Sequence, residues 1–300
     1  MLNFIKKMKN IFNPGRNQVE EKQLCILGKK QSEHNTTIDQ INNLNQVEFR
    51  VFSQFEDDGI IQWLVNKIDI PNKTYIEFGV GDYLESNTRF LMINNNWSGY
   101  VLDESEKNTH NIKNYNWFWK YDLKAEYSFI TKENINELMI KSEFQEDLGL
   151  LSIDVDGNDY WIWKNINTFS PIILIIEYNS VFGKDNSWTI PYEQNFNRTK
   201  AHFSNLYFGA SLKALVDLAK EKGYCFIGSN SAGNNAYFIR RDKMNHKLNE
   251  VDCENGFKES KFRESLDQNG QLNFMSGSER LKSLKGLPIF NTSTGELEKI

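Results

Sequence analysis

Five consecutive aliphatic residues, Ile172-Ile173-Leu174-Ile175-Ile176, restrict this chain more than any other feature. Bounded by Pro171 and Glu177, the run is too short for a buried helix and has no polar face. It therefore predicts a strand buried on both sides, as in a parallel sheet covered by helices. The surrounding pattern agrees. Phe55, Ile60, Ile61, Trp63, Leu64 and Ile68 form one helical stripe ahead of Pro71. Strand and helix signals then alternate: Tyr75 to Phe78, a helix around Thr88 to Ile93, Tyr100 to Leu102, a short helix, and Trp117 to Tyr121. A helix around Ile130 to Ile140, a strand from Leu148 to Ile153, a helix from Tyr160 and the aliphatic run follow. This alternation predicts a doubly wound α/β sheet with helices on both faces.

The end of the sheet is more discriminating. A helix over Ser211 to Ala219 stops at Gly223, and the strands Tyr224 to Gly228 and Ala236 to Ile239 are joined only by a Gly/Asn/Ser-rich turn. Strands joined so briefly must be antiparallel. The expected organisation is a polar N-terminal lead-in over 1–46, loosely attached and of little periodicity, a catalytic domain over 47–241, and a peripheral extension over 242–300. The segment MLNFIKKMKNIF is too short to span a bilayer and lacks a small-residue cleavage site, so it reads as the start of an irregular amphipathic helix. With 39% hydrophobic residues the chain can build a core, and a net charge of -5 without a basic block excludes a nucleic-acid duplex as partner. Three cysteines without metal-ligand spacing point to a reducing cytoplasm. The oligomeric state stays open between monomer and homo-oligomer.

Glu77-Phe78-Gly79-Val80-Gly81 follows the first strand, and Leu84 stands where a dinucleotide-binding turn would carry its third glycine. Asp103 ends the next strand, 22 residues beyond Gly81, where a carboxylate can accept hydrogen bonds from both hydroxyls of a ribose. Asp122, after Trp117 to Tyr121, is expected at the third strand's end against an adenine, or as a helix N-cap. The glycine turn resembles motif I of S-adenosylmethionine-dependent methyltransferases, and the terminal hairpin resembles their sheet. The resemblance implies a Rossmann-like class I methyltransferase fold, with a seven-stranded, mostly parallel sheet ending in an antiparallel hairpin. It also implies S-adenosylmethionine as cofactor, held by Glu77, Gly79, Gly81, Asn87, Asp103 and Asp122. Further stretches, among them Ser53 to Gly59, Glu85 to Arg89, Ile153 to Trp161, Ile176 to Asn179, Tyr207 to Ser211 and Asn230 to Gly233, are similar to a bacterial methyltransferase family. That family is associated with capsule and surface-polysaccharide biosynthesis and loosely related to the FkbM-type enzymes.

Asp154, Asp156 and Asp159 end the fourth strand, and Glu177 and Asn179 end the fifth, at the edge where open α/β sheets bind ligands. Carboxylates crowded there are tolerable around a hard cation such as Mg²⁺. The arrangement is similar to metal-dependent sugar O-methyltransferases, which implies Asp156 and Glu177 as ligands; Asn179, two residues on and so on the same strand face as Glu177, is expected to supply a further oxygen. Asp159, however, stands where those enzymes place a His base, and Tyr178 where they place a second acidic ligand. The expected reaction is methyl transfer to a sugar hydroxyl of a nucleotide-linked or glycan-bound acceptor, with Asp154, Asp156, Asp159 or His202 as base. A magnesium-free version has an Asp acting alone. The insertion over 183–206, with Trp188, Tyr192 and Arg198, is placed to form an acceptor lid. Two other readings remain: a glycosyltransferase using Asp154-Val155-Asp156 as a metal-binding D-x-D, and a non-catalytic binding protein on a methyltransferase fold.

Overall fold

A computed structural model describes residues 14–300; the Met1–Phe12 stretch, expected to begin an amphipathic helix, lies outside the described residues. The main sheet comprises β1 (Thr74–Phe78), β2 (Ser98–Asp103), β3 (Leu123–Tyr127), β4 (Leu150–Ile153) and β5 (Ile173–Glu177), all parallel. A two-residue strand, β6 (Trp188–Thr189), leaves this sheet, and β7 (Tyr224–Ser229) and β8 (Asn235–Arg240) return to it. The strand order is β3-β2-β1-β4-β5-β8-β7, with β8 antiparallel to both β5 and β7. The seven-stranded, mostly parallel sheet with a terminal antiparallel hairpin is thus the observed fold.

The aliphatic run behaves as its composition demands. Leu174 and Ile176 pack with helices Ile135–Ile140, Asp159–Asn165 and Leu212–Glu221 on one face. Ile173 and Ile175 pack with helices Asp57–Lys67, Arg89–Asn95 and Glu106–Asn114 on the other, and all four are completely buried. Local signals set the ends of these helices. The Ser211 hydroxyl accepts from the Ala214 N–H at 3.2 Å to start Leu212–Glu221, and Gly223, at φ +80°, follows its end.

Both flanks depart from the sequence expectation. The lead-in contains a helix, Pro14–Thr36, that docks on Asp57–Lys67. Gly28, Ser32 and Asn35 are buried along one side of it. Ser32 Oγ donates to Gln62 Oε1 at 2.9 Å, and Asn35 Nδ2 donates to the Val47 carbonyl at 2.7 Å. A Cβ on Gly28 would lie 2.4 Å from Val51 Cγ2. Close approach through small and polar residues leaves no apolar periodicity in the segment, so its attachment, unlike the expected loose lead-in, is set by tertiary contacts alone. The C-terminal extension is likewise integral: β9 (Pro288–Asn291) pairs with β10 (Glu296–Lys299) and with β6 of the insertion. Leu284 and Ile289 join Phe182, Ile190, Leu206 and Tyr207 in a third apolar cluster.

Candidate functional site

The strand order reverses between β1 and β4, and two adjoining cavities open at the carboxyl edge there. Gly79 and Gly81 border both. Gly79 sits at φ +73° and donates its N–H to the Leu102 carbonyl at 2.9 Å; a Cβ on it would lie 1.6 Å from the Asp154 carbonyl oxygen. No other residue fits there. Gly81, at φ +55°, faces open space, and its N–H donates to Asp103 Oδ2 at 2.7 Å. Asp103 Oδ1 accepts from the Ser105 N–H at 2.9 Å and from Asn108 Nδ2 at 3.0 Å. The carboxylate is thus held at the mouth of the smaller cavity, about 270 Å³, with lone pairs left for a vicinal diol.

Glu77 is buried beneath the glycine turn. It accepts from the N–H groups of Asn87 and Thr88, at 2.9 and 3.1 Å, and from the Thr88 hydroxyl. Burial pushes its carboxyl up to about 7 against these donors. Asn87 Nδ2 continues to Ser152 Oγ at 3.1 Å. Glu77 therefore shapes the loop from below, while both residues border the larger cavity of about 530 Å³.

That larger cavity holds the acidic cluster, but the members differ in what remains free. Asp159 is completely buried, with Oδ1 accepting from the Val155 N–H at 2.9 Å and Oδ2 from the Gly157 N–H at 3.0 Å. Burial raises it to about 6. It braces the turn after β4 and borders neither cavity, so the expected base role is not borne out. Asn179 is also spent: Nδ2 donates to the carbonyls of Leu206 and Phe208, at 2.8 and 3.0 Å, and Oδ1 accepts from the Val181 N–H at 3.0 Å. Asp156, at φ +55°, is exposed and pairs with Arg198 Nη1 at 2.9 Å. The expected ligand set Asp156, Glu177 and Asn179 therefore does not assemble.

Asp154 and Glu177 are the remaining pair. Oε2 of Glu177, a residue only 8% exposed, has no partner, and the half-buried Asp154 lines both cavities. Their carboxylate oxygens and one of Asp159 lie within 4.8 Å of one another. Burial, then the charges of Asp156 and Asp159, holds Asp154 well above the ordinary carboxylate range; burial, then Asp154, does the same to Glu177.

Two more expectations change. Asp122 precedes β3 and so lies at the opposite edge of the sheet, where its carbonyl accepts from the Gly99 N–H. The aromatic run thought to be the strand instead holds a 3₁₀ turn, Phe118–Lys120, and Ser128 and Phe129 stand at the true carboxyl end, beside the smaller cavity. His202 borders neither cavity, its Nδ1 lying 2.7 Å from Ser204 Oγ. The insertion does reach the site through Arg198, which stacks 3.7 Å over Phe208 and ties Asp156 to Glu264. Glu264 and Phe262, which stacks on Phe55 at 5.3 Å, come from the C-terminal extension, where no periodicity marked them. The Asn230 to Gly233 turn is structural: Asn230 Oδ1 accepts from the N–H groups of Gly233, Asn234 and Asn235, and Nδ2 donates to Asp57 Oδ1 at 3.0 Å.

No helix among the described residues is long and apolar enough to cross a membrane. No protein-family model matches the sequence, and no curated protein matches it as a relative. Among solved structures the chain is similar to the N-terminal domain of EvdMO1 in the presence of SAH and D-fucose, at 7% identity and TM-score 0.38 over 75% of this chain and 95% of that one. It is similar to an S-adenosylmethionine-dependent methyltransferase from Clostridium acetobutylicum, at 9% identity and TM-score 0.37 over 61% and 89%. An O-methyltransferase from Bacillus cereus in complex with SAH matches at 15% identity and TM-score 0.35 over 56% and 72%. The fold itself is defined by the strand order and register of the seven-stranded sheet.

Proposed function

We propose that this chain is an S-adenosylmethionine-dependent O-methyltransferase that methylates a sugar hydroxyl, working in the cytoplasm on surface-polysaccharide precursors. One observation carries the reading: a glycine turn with open space at Gly81 and a carboxylate at Asp103 adjoins, at the strand-order reversal, a second cavity lined by Asp154 and by Glu177, whose Oε2 has no partner. The cofactor, when bound, supplies an electrophilic methyl group on a sulfonium. Gly79 and Gly81 give it backbone clearance, and Asp103 accepts from its ribose. Asp154, which neighbours both cavities, takes the proton from the acceptor hydroxyl. Glu177 accepts a second hydrogen bond from the acceptor and orients it.

Magnesium has no part in this mechanism. The expected ligand set of Asp156, Glu177 and Asn179 does not assemble, because Asp156 pairs with Arg198 and Asn179 is engaged by the Leu206 and Phe208 carbonyls and the Val181 N–H. The D-x-D alternative requires a diphosphate to settle beside Asp154 and Asp156, where the one lining cation among the described residues, Arg198, already serves two carboxylates. Isothermal titration with S-adenosylhomocysteine and with UDP tests the reading. It expects tight binding of the first and none of the second; the reverse pattern removes it.

A further inference from the structure

We infer that the acceptor carries a protonated amine and no phosphate, its ammonium held between the Asp154 and Glu177 carboxylates. The inference takes the larger cavity as the acceptor side, as the methyl-transfer reading does, and narrows the acceptor from any sugar to an amino sugar or comparable amine.

Three observations support it. Among the described residues, seven carboxylates and one guanidinium line this cavity. That guanidinium, Arg198, bonds Asp156 and Glu264 and is largely buried, so no free cation meets an incoming phosphate. A nucleotide-linked sugar brings two negative charges into this field, and the repulsion is strong where solvent is partly excluded. Second, Glu177 Oε2 is buried without a donor, and a carboxylate oxygen of the half-buried Asp154 lies within 4.8 Å of a Glu177 oxygen and faces the same cavity. Two acceptors of like charge, both lining one cavity, call for a ligand that brings several donors and positive charge. An ammonium brings three donors and one charge. Third, neighbouring carboxylates have donors in hand: Asp159 accepts from two N–H groups of the chain and Glu77 from two N–H groups and the Thr88 hydroxyl, whereas Glu177 Oε2 has none.

Calorimetric titration of the full chain with glucosamine, glucose and UDP-glucose, with S-adenosylhomocysteine titrated separately, tests the assignment. Glucosamine is expected to bind about tenfold tighter than glucose, the effect of one charge-assisted contact, and UDP-glucose no tighter than glucose. Glu177→Gln should remove the glucosamine preference and leave S-adenosylhomocysteine affinity unchanged; Asp154→Asn is the second variant, with the same expectation. Glucosamine binding no better than glucose, UDP-glucose binding best, or a preference that requires added Mg²⁺ overturns the inference. So does a Glu177→Gln variant that weakens S-adenosylhomocysteine and spares glucosamine, because the carboxylate then serves the cofactor's amine. Loss of S-adenosylhomocysteine binding with the amine preference intact refutes the cofactor reading and leaves the amine site standing.

Discussion

Replacing Gly79 with alanine separates what the glycine turn does for the fold from what it does for a ligand. The new Cβ would stand 1.6 Å from the Asp154 carbonyl oxygen, against an ordinary carbon–oxygen contact of about 3.3 Å, so the two strands must part by about 1.7 Å. Both partners are backbone, and no side chain can rotate away. Phe78 is paired in register with both Leu102 and Ile153, so the movement strains both sides of β1. The left-handed backbone at φ +73° adds about 1–2 kcal/mol for any residue with a Cβ, and overpacking of this kind about 1–3 kcal/mol. A loss of about 2–5 kcal/mol is a large part of an ordinary domain's stability. Gly81→Ala is the internal control: its backbone is also left-handed, but a Cβ there meets nothing within 4 Å. It should cost only the backbone's share, about 1–2 kcal/mol, and leave the fold intact, while its methyl group intrudes on the ligand space. Urea unfolding and S-adenosylhomocysteine titration of both variants read the two effects. The reasoning is refuted if Gly79→Ala loses no more stability than Gly81→Ala, or if Gly81→Ala binds S-adenosylhomocysteine as the wild type does.

Asp154→Asn should lower the methyl-transfer rate by about 10²–10⁴-fold while sparing S-adenosylhomocysteine affinity. Because burial and neighbouring carboxylates hold the Asp154 proton tightly, the wild-type rate should rise with pH through a limb above the ordinary aspartate range, and an Asp154→Asn enzyme whose pH profile matched it would exclude the base role. Exhaustive chelation should leave transfer unchanged, since the expected magnesium ligands do not assemble; loss of activity restored by Mg²⁺ would reverse that conclusion. His202→Ala should leave methyl transfer untouched and cost about 1 kcal/mol through its contact with Ser204. A large fall in kcat would return the histidine to the site.

The sequence by itself determined the parts whose physics is local. An aliphatic run with no polar face had to be a strand covered on both sides. A turn as short as Ser229 to Asn235 had to make β7 and β8 antiparallel, and Gly79-Val80-Gly81 directly after a strand marked the ligand-binding turn. The position of β3 is not written in local composition. Trp117 to Tyr121 is rich in strand-favouring aromatics, yet these residues pack around the 3₁₀ turn, and the strand begins at Leu123. Only the tertiary structure decided which carboxylates are available. Asp154 and Asp159 are five positions apart and equal as letters, but one faces a cavity and the other is turned to the N–H groups of Val155 and Gly157. Arg198 and Glu264 meet across 66 positions of sequence, and β6 finds β9 across about a hundred. Hydrophobic periodicity is written along the chain because burial of one face recurs at a fixed spacing. The state of a polar group is set by whatever donors folding brings beside it, and those come from any distance along the chain.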